Sequence, residues 1–458
     1  MPQRSFLVLQ GPLSPLYRRL ADRLAEDGHA VHRIHMCAGD ALLWGRGGTW
    51  YRGRIADWPR FVEKTIAERG ITDLLLHGER RLYHRIAASI ARRMGVRVIV
   101  TELGYLRPGW LTVEADGTGA ASHFPACPET IRRLAATAPA LLGSGPLETA
   151  GAGSFATMAA YDMAYNLANT VLWVLAPHYR RHTLYYPPLE YAAWAERLLT
   201  ARRRERQAAS CLGNMRAGQF HVFALQLEGD FQVRHRSPQG SMLAAIEEVL
   251  RSFAAHAPAD QSLLMKAHPL DNGLEVWRRR LPKLVRTYAL EERVQFIDSG
   301  GLRRCIEGAA GLVTLNSTAG IEALGAGVPV KTLAPALYDV PGLTHQGDLA
   351  SFWRAPQCPD PGLVAAFTTA LAASVQVPGS LYGQEGLAAA VEGLSRQIIT
   401  GAVERFGSSC PGPRQSALRE ALRAAARARA AARAGRHGGR QPCARDAPGF
   451  SSAWRAPR

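Results

Sequence analysis

The chain lacks the features that mark several common protein classes. Its seven cysteines are widely separated and form no CxxC pair, so neither a zinc site nor a disulfide framework is indicated. The apolar run at residues 5–10 is too short for the core of a signal peptide, and no small-residue cleavage site follows it. We therefore expect a cytoplasmic protein with free thiols.

Lysine is almost absent, with residues only at positions 64, 266, 283 and 331. Arginine makes up most of the 55 basic residues, which face 38 acidic residues and give a formal charge of +17. Residues 411–458 alone carry +9, because they contain eleven Arg and only two acidic residues. A charge concentrated in a tail does not establish a basic groove, and we predict no nucleic-acid partner.

Short apolar runs alternate with amphipathic stretches along most of the chain. This alternation predicts parallel strands joined by crossover helices. The nine predicted strands cover residues 6–10, 30–36, 72–77, 96–101, 222–226, 263–268, 294–297, 312–315 and 328–333. Because they fall into two groups, we predict an α/β protein with two Rossmann-like domains facing a cleft, a GT-B-like arrangement.

The two groups of strands suggest limits for five segments. We place the first Rossmann-like domain at residues 1–150 and the second at residues 216–345. A bridge of residues 151–215 joins them. Residues 346–408 have a helical pattern and are expected to close the second domain. Residues 409–458 are rich in Ala and Arg, which predicts a disordered basic tail.

The bridge has an unusual composition. Between residues 151 and 177 its one charged residue is Asp162, and nine aromatic residues lie between 155 and 194. The spacing predicts a helix with Asp162, Asn166 and Asn169 on one face and Tyr165 on the opposite face, which disfavours a membrane span. We expect an aromatic helical bridge; its Trp, Tyr and Arg residues also fit a surface that contacts a membrane.

The strongest local pattern is a strand-to-helix turn at residues 311–330. Asn316, Ser317 and Thr318 follow the strand and precede the helix. Such a turn presents backbone N–H groups and hydroxyls to a phosphate. Glu322, about one turn into the helix, can accept hydrogen bonds from a ribose diol. A simple helix cap is the alternative interpretation of the turn taken alone.

A second pattern is a buried strand that ends in Lys266, Ala267, His268 and Pro269. Because proline ends the ladder, His268 is held at the carboxyl end of a strand, where ligands bind in open α/β sheets. Its imidazole can donate to a phosphate oxygen. The alternative is a structural histidine. We predict that Lys266, His268 and Pro269 face the same cleft as the 316–322 turn.

Two carboxylates follow the first strand of the second group. Gly229, between Glu228 and Asp230, lets the backbone bring either carboxylate into a cleft. There a carboxylate can act as a base or as a nucleophile on an anomeric carbon. A loop-capping Asp is an equally good interpretation from the residues alone.

Polar and turn residues also follow the strands of the first half. Gly11 and Pro12 come after the first strand, and Glu102, Tyr105 and Arg107 come after the fourth. Because the carboxyl ends of parallel strands share one edge of a sheet, we expect these residues to form an acceptor or catalytic wall opposite the second half.

Taken together, these motifs resemble the capsule polysaccharide biosynthesis and export family, the KpsS and KpsC proteins of Gram-negative bacteria. The resemblance covers residues 5–400 in order. It rests on residues 9–12, 39–40, 102–114, 226–230, 266–269 and 316–323. KpsC-like proteins carry two modules in tandem, whereas this chain has one set of motifs, so it resembles the single-module KpsS-like branch.

The resemblance implies a β-Kdo glycosyltransferase that transfers Kdo from CMP-Kdo to a phosphatidylglycerol-type lipid primer with retention of configuration. It implies a peripheral position on the cytoplasmic face of the inner membrane, and a KpsC-like transferase and the export machinery as further partners. The first domain would then supply the acceptor side and the second would bind the CMP-sugar. No cofactor is expected, and with no DxD-type pair we expect transfer without a metal.

Within that resemblance, Asp230 matches the acidic position of the nucleophile. Glu228 is the alternative, because the family often has Glu-Asp-Asp where this chain has Glu-Gly-Asp. His268, Ser317 and Thr318 would bind the CMP phosphate, with Glu322 holding the ribose. Two other functions stay open: a UDP-sugar 2-epimerase-like enzyme, which shares the two domains and the His-Pro strand end, and a non-catalytic capsule export component.

Overall fold

The chain folds around two separate β-sheets. A computed structural model describes residues 3–138, 155–181, 183–404 and 406. The seven strands of the first sheet are β1 (Ser5–Val8), β2 (Ala30–His35), β3 (Thr49–Trp50), β4 (Asp73–His77), β5 (Arg97–Leu103), β6 (Trp110–Ala115) and β12 (Gln376–Pro378). The five strands of the second are β7 (Phe220–Ala224), β8 (Ser262–Lys266), β9 (Val294–Ile297), β10 (Gly311–Thr314) and β11 (Val330–Thr332).

Helices connect the strands. In the first half they are α1 (Leu16–Glu26), α2 (Ala38–Trp44), α3 (Trp58–Glu68), α4 (Leu82–Arg93) and α5 (Pro128–Ala136). The bridge contains α6 (Phe155–Val171) and α7 (Pro187–Gly213). The later helices are α8 (Phe231–Arg236), α9 (Met242–His256), α10 (Trp277–Thr287), α11 (Leu302–Ile306), α12 (Ala319–Gly325), α13 (Leu349–Arg354), α14 (Pro361–Ser374) and α15 (Gln384–Ile399).

Both sheets have the strand order of a Rossmann fold. The second runs β11-β10-β7-β8-β9, and the first contains the equivalent order β5-β4-β1-β2-β3. All of these neighbours are parallel. In each sheet the order in which strands are added therefore reverses beside the first strand. The reversal lies between β1 and β4 in the first sheet and between β7 and β10 in the second. Ligands bind at such topological switch points. The predicted two-domain α/β fold is confirmed, and all nine predicted strands form.

Burial on both faces explains why the central strands are continuous apolar runs. Every residue of β4 and of β7 is buried, as expected for parallel strands covered by helices on both sides. The helices supply one apolar stripe each, as in α1, where Leu16, Leu20 and Leu24 are fully buried. Each such side chain stabilises the fold by roughly 1.5–3 kcal/mol of transfer free energy.

The C-terminal segment departs from the expected arrangement. Residues 346–408 were expected to be helices closing the second domain, but β12 adds to the first sheet, antiparallel to β6. Leu387, Leu394 and Ile398 of α15 then pack in the core that contains α1. Strand β12 thereby pairs with the edge of β6 that faces away from β5 and becomes the new edge of the sheet. Of the helices in this segment, α13 and α14 pack against the second sheet. Phe367 of α14 lies in a core that also contains Phe124 of the first half.

The faces of α6 also differ from the expected ones. Tyr165 was expected opposite Asn169, but these two side chains are the buried ones of the helix. They lie four residues apart, which places them on the same face one turn from each other. Among the described residues, no helix is both long and apolar enough to cross a bilayer. The tail expected at residues 409–458 lies outside the described residues.

Candidate active site

Two neighbouring cavities open at the carboxyl ends of both sheets. The larger has a volume of about 580 Å³ and the smaller of about 370 Å³. Six residues line both cavities and so form the boundary between them: Tyr105, Arg107, His268, Ser317, Thr318 and Ile321. The first domain contributes two of these residues and the second domain four, so the site is an interdomain cleft.

The larger cavity receives most of the residues predicted to bind a nucleotide. Lys266, His268, Pro269, Ser317, Thr318 and Glu322 all line it. Asn316 lines the smaller cavity instead. Trp110 of the first domain and apolar residues such as Leu225 and Leu302 also line the larger cavity, as do Thr368 and Thr369 of α14. A pocket that combines apolar side chains with a small number of polar groups is typical of a small-molecule site.

His268 is held as a neutral hydrogen-bond donor. Its Nδ1 accepts the backbone N–H of Leu270 at 3.1 Å, which leaves the proton of the neutral ring on Nε2. Burial, together with the charges of Arg107 and Lys266, lowers the pKa of His268 to about 4. At neutral pH, His268 therefore offers an uncharged N–H at the boundary between the two cavities.

Lys266 is a buried cation that lines the larger cavity. Its Nζ donates to the carbonyl of Ala267 at 2.9 Å, and burial lowers the pKa of its ammonium group. A buried positive charge of this kind attracts an anionic ligand.

The 316–318 turn is fixed by its neighbours. Ser317 Oγ accepts the N–H of Ala319 at 3.2 Å, and the Tyr338 hydroxyl donates to the Ser317 carbonyl at 2.5 Å. A side chain at Gly320 would collide with the Tyr338 ring, since a Cβ there would lie 2.4 Å from the hydroxyl oxygen. The small residue at 320 thus allows Tyr338 to approach and brace the turn.

Asp230 combines a structural and a chemical position. Its Oδ1 accepts the N–H of Gln232 at 2.8 Å and so caps α8, as in the capping interpretation of the sequence. The carboxylate also lines the smaller cavity. Burial raises its pKa, while hydrogen bonds from Gln232 and Gln226 and the charge of Arg107 oppose that shift. Its orientation is therefore fixed from two sides, which suits a group that must meet a reacting atom.

Glu228 is directed elsewhere. Its Oε2 accepts the N–H of Met242 at 2.8 Å at the first turn of α9, and burial raises its pKa. Among the described residues that line the two cavities, Asp230 is present and Glu228 is not. The geometry therefore favours Asp230 of the two carboxylates.

Gln226 links the Asp230 loop to the turn beside it. Its Nε2 donates to Asn316 Oδ1 at 3.2 Å, and its Oε1 accepts the Asn316 N–H at 3.2 Å. Its side chain also hydrogen-bonds to Asp230. The Nδ2 of Asn316 is buried and has no hydrogen-bond partner among the described residues, so it is a donor that a bound ligand can satisfy.

Glu102 faces Asp230 from the first domain. It lies in β5 and lines the smaller cavity. Burial and the negative charge of Glu79 raise the pKa of Glu102 to about 7, while Arg81 and Arg107 act in the opposite direction and Asp230 adds to the rise. A carboxyl that titrates near neutrality can both accept and release a proton under working conditions.

The loop after β5 is held by Gln376, which lies 271 positions after Tyr105 in the sequence. The N–H of Tyr105 donates to Gln376 Oε1 at 2.8 Å, and the Tyr105 hydroxyl donates to Glu114 at 2.7 Å. Gln376 Nε2 donates to Thr112 at 2.8 Å. Arg107 Nε donates to the carbonyl of Gly104 at 2.8 Å. Strand β12 thus helps to hold the loop that brings Tyr105 and Arg107 to both cavities, and their acceptor-side role stays a prediction.

Gly11 and Pro12 do not join that wall. They line a separate narrow pocket of about 10 Å³ that also contains Tyr165. The Tyr17 ring packs so closely on Gly11 that a Cβ there would lie 2.8 Å from a ring carbon. Gly11 and Pro12 therefore line neither main cavity, contrary to the expectation that they form part of the acceptor wall. Their link to the site is indirect, because Arg81 Nη1 donates to the Gly11 carbonyl at 3.1 Å and Arg81 lines the smaller cavity.

Several residues of the site were given no role from the sequence, among them Glu79, Arg81, Gln226 and Gln376. Glu79 lies two residues after the end of β4 and Gln226 two residues after the end of β7, so their position near a strand end was an available signal. Gln376 had none, because it acts on residues 271 positions away. Within the described part of the chain, no three His, Cys, Asp or Glu side chains form a metal-binding group. The expectation of metal-free transfer stays a prediction.

Comparison with known proteins agrees with the sequence motifs. The family model described as "Capsule polysaccharide biosynthesis protein" matches residues 72–382. The capsule polysaccharide export protein KpsS of Escherichia coli is 30% identical over 83% of this chain and 97% of its own length. The capsule polysaccharide modification protein LipB of Neisseria meningitidis, serogroup A, is also 30% identical, over 83% of this chain and 92% of its own.

Among solved structures, this chain is similar to KpsC of Thermosulfurimonas dismutans, described as a β-Kdo 2,7 transferase. The TM-score is 0.42 at 17% identity, and the match covers 86% of this chain and 100% of that one. The family match and the two curated relatives each span well over half of the chain. The chain therefore belongs to the capsule polysaccharide biosynthesis protein family.

Proposed function

We propose that the protein is a retaining glycosyltransferase that transfers Kdo from CMP-Kdo to a phosphatidylglycerol-type lipid primer. One observation carries the proposal. Asp230 and Glu102 come from opposite domains to line one cavity, and that cavity shares His268, Ser317 and Thr318 with a second cavity of nucleotide size. Two carboxylates on either side of a sugar are what retaining transfer through a covalent intermediate requires.

The larger cavity would hold the CMP part of the donor. The hydroxyls of Ser317 and Thr318 and the Nε2–H of His268 would donate to the single phosphate, and Glu322 would accept from the ribose hydroxyls. Lys266, which lines the same cavity, would contribute positive charge. Because a neutral His268 donates without needing protonation, leaving-group stabilisation by it would persist from pH 6 to pH 9.

The first chemical step would occur where the cavities meet. An oxygen of Asp230 would attack the anomeric carbon of Kdo while the bond from that carbon to the CMP phosphate oxygen breaks. CMP would leave with the electron pair, its new charge stabilised by the donors around it. The product of this step is a Kdo ester of Asp230. Gln226 and Gln232 would keep the carboxylate aimed during the attack.

In the second step the acceptor hydroxyl would replace Asp230. Glu102 would take the hydroxyl proton as the acceptor oxygen bonds to the anomeric carbon, and Asp230 would depart as a carboxylate. Two inversions give net retention. Arg80 and Arg81 line the same cavity and supply positive charge that suits an anionic acceptor such as a phosphatidylglycerol headgroup. Such an acceptor would place the protein on the cytoplasmic face of the inner membrane.

The direct experiment is a transfer assay with CMP-Kdo, generated in situ, and a fluorescent phosphatidylglycerol acceptor, with mass spectrometry of the product. We expect addition of Kdo by the native protein and loss of transfer by at least about 10³-fold in Asp230→Ala. Glu228→Gln is the matched control, because it changes the neighbouring carboxylate that lies outside both cavities. It should stay within about threefold of the native rate.

The other outcomes separate the alternatives. Transfer by Asp230→Ala at the native rate removes that residue from catalysis. A protein that binds CMP but transfers nothing has a different donor or acceptor, and conversion of a UDP-sugar without any acceptor would identify an epimerase. Absence of CMP binding would overturn the transferase proposal in favour of a non-catalytic export component.

A further inference from the structure

Exposed apolar side chains are concentrated on the bridge helices. Of the seventeen large hydrophobic residues that are exposed in the described part of the chain, twelve lie between residues 155 and 199. On α6, Met163, Leu167 and Val171 follow one another at four-residue intervals and therefore form one stripe. Trp173 and Val174 continue it in the short 3-10 helix that follows. Leu167 is 64% exposed and Trp173 is 61% exposed. A contiguous apolar patch of this kind marks an interaction surface.

The opposite face of α6 fixes the direction of this stripe. Tyr165 accepts a hydrogen bond from Gln10 Nε2 at 2.5 Å, and Asn169 Oδ1 accepts the N–H of Gly39 at 2.8 Å. Both side chains are buried against the first domain. The helix is thus anchored by its polar contacts and presents its apolar stripe to the outside.

The one charge on α6 is not part of the stripe. The Asp162 carboxylate accepts the Tyr191 hydroxyl at 2.9 Å and Asn166 Nδ2 at 3.2 Å. The rings of Phe155 of α6 and Trp194 of α7 are also in contact, tilted by 54° with centroids 5.3 Å apart. The two helices therefore contact each other through Tyr191 and Trp194, and each of them exposes apolar residues.

Positive charge follows exposed apolar residues along α7. Leu198 and Leu199 are exposed, and Arg202, Arg203 and Arg206 follow them, also exposed. The acidic residues of this stretch are engaged: Glu196 pairs with Arg204 at 2.9 Å, and Glu205 accepts from Ser299 at 2.7 Å. Exposed apolar and aromatic side chains on the bridge helices, together with arginines that have no ion-pair partner among the described residues, are complementary to an anionic bilayer surface, where Trp lies at headgroup depth.

The stripe is connected to the active site through a short chain of hydrogen bonds. Gln10, which contacts Tyr165, also accepts a hydrogen bond from Arg81 Nη1 at 3.2 Å. Arg81 lines the cavity that contains Glu102 and Asp230. The anchored side of α6 therefore lies at the same edge of the first sheet as the catalytic cleft.

We propose that the surface formed by Met163, Leu167, Val171, Trp173 and Val174, with Arg202, Arg203 and Arg206, docks on an anionic lipid bilayer. We call it the docking surface. The proposal rests on the proposed function, since docking here would present a lipid acceptor to the adjoining cleft. It specifies which side of the protein faces the membrane and which side chains enter it.

The test measures binding of the full chain to vesicles without any donor, so it does not depend on catalysis. Vesicles of phosphatidylcholine with one third phosphatidylglycerol should bind the native protein, and pure phosphatidylcholine vesicles should bind it at least about tenfold more weakly. The double variant Leu167→Glu/Trp173→Glu should lose at least about tenfold in binding. Arg202→Gln/Arg203→Gln should lose binding mainly to the anionic vesicles. Met94→Glu is the matched control, because Met94 is an exposed apolar residue on another side of the first domain, and its binding should be unchanged.

A water-soluble, short-chain phosphatidylglycerol acceptor separates this proposal from the proposed function. Leu167→Glu/Trp173→Glu should transfer to the soluble acceptor at the native rate but lose transfer to acceptor in vesicles. Asp230→Ala should bind vesicles normally. Undiminished vesicle binding by the double Glu variant overturns the docking surface, whatever the transfer activity. So does a native dimer that this variant converts to a monomer, which would identify a second copy as the occupant.

Discussion

Glu102 should determine how transfer depends on pH. Its pKa of about 7 means that its ionised fraction rises about tenfold between pH 6 and pH 8, from roughly one tenth to roughly nine tenths. If ionised Glu102 accepts the acceptor proton, kcat/KM should rise about tenfold over that interval and then level off. Glu102→Gln should lose about 10²–10⁴-fold in rate and show no such rise. The measurement is initial-rate transfer to the soluble acceptor at half-unit pH steps.

A neighbouring substitution gives a sharper check. The charge of Glu79 is the second largest cause of the raised Glu102 pKa. In Glu79→Gln the rise in activity should therefore occur at lower pH, with the plateau still reached. A Glu79→Gln profile that coincides with the native one, or a Glu102→Gln profile that keeps the tenfold rise, would falsify the assignment of the titrating group to Glu102.

Stability offers a readout that does not involve catalysis. Because the folded state raises the Glu102 pKa from 4.5 to about 7, the proton contributes stability below pH 4.5 that is lost as the pH rises through about 7. At about 1.4 kcal/mol per pKa unit, the stability contributed by this proton is on the order of 3 kcal/mol. This value is an upper bound, because water in the open cavity screens the charges. Glu102→Gln should therefore raise Tm relative to the native protein at pH 8 but not at pH 4.5. An equal Tm difference at both pH values would refute the raised pKa.

Three further predictions concern two residues that hold the site in place and the absence of a metal requirement. Gln376→Leu removes the acceptor for the Tyr105 N–H, so transfer should fall at least about tenfold while CMP binding, measured by calorimetry, changes less than threefold; a normal rate would show that β12 does not position this loop. Gln226→Leu breaks the link between Asp230 and Asn316 and should lower kcat more than it raises KM; a pure KM effect would contradict a positioning role. Transfer should be unchanged by EDTA, and activity restored only by a divalent cation would overturn metal-free transfer.

The sequence was most informative for features that depend on a local pattern of residues. Short apolar runs that alternate with amphipathic stretches predict parallel strands, and all nine of the strands predicted in this way form. The His268-Pro269 strand end and the 316–318 turn were also found, because ligand groups in open α/β sheets follow the carboxyl ends of strands. The choice between Glu228 and Asp230 needed the structure, since both flank the same glycine and only their hydrogen bonds distinguish them.

The errors arose from contacts between distant parts of the chain. Strand β12 has three residues and joins the first sheet after more than 250 intervening residues, so no local pattern could assign it. Gly11 and Pro12 follow a strand as ligand residues do, yet Tyr17 and Tyr165 occupy the space around them. On α6, helical spacing was correct in principle, but Tyr165 and Asn169 were placed on opposite faces although they are one turn apart.

The account depends most on a covalent bond between Kdo and Asp230. The direct measurement is intact-protein mass spectrometry of Glu102→Gln incubated with CMP-Kdo and no acceptor, followed by peptide mapping. We predict release of CMP and a mass increase of one Kdo residue, located on the peptide that contains Asp230 and absent when Asp230 is also replaced by Ala. Efficient transfer by the native protein to the acceptor, with no adduct in either protein and an inverted anomeric product, would contradict the account.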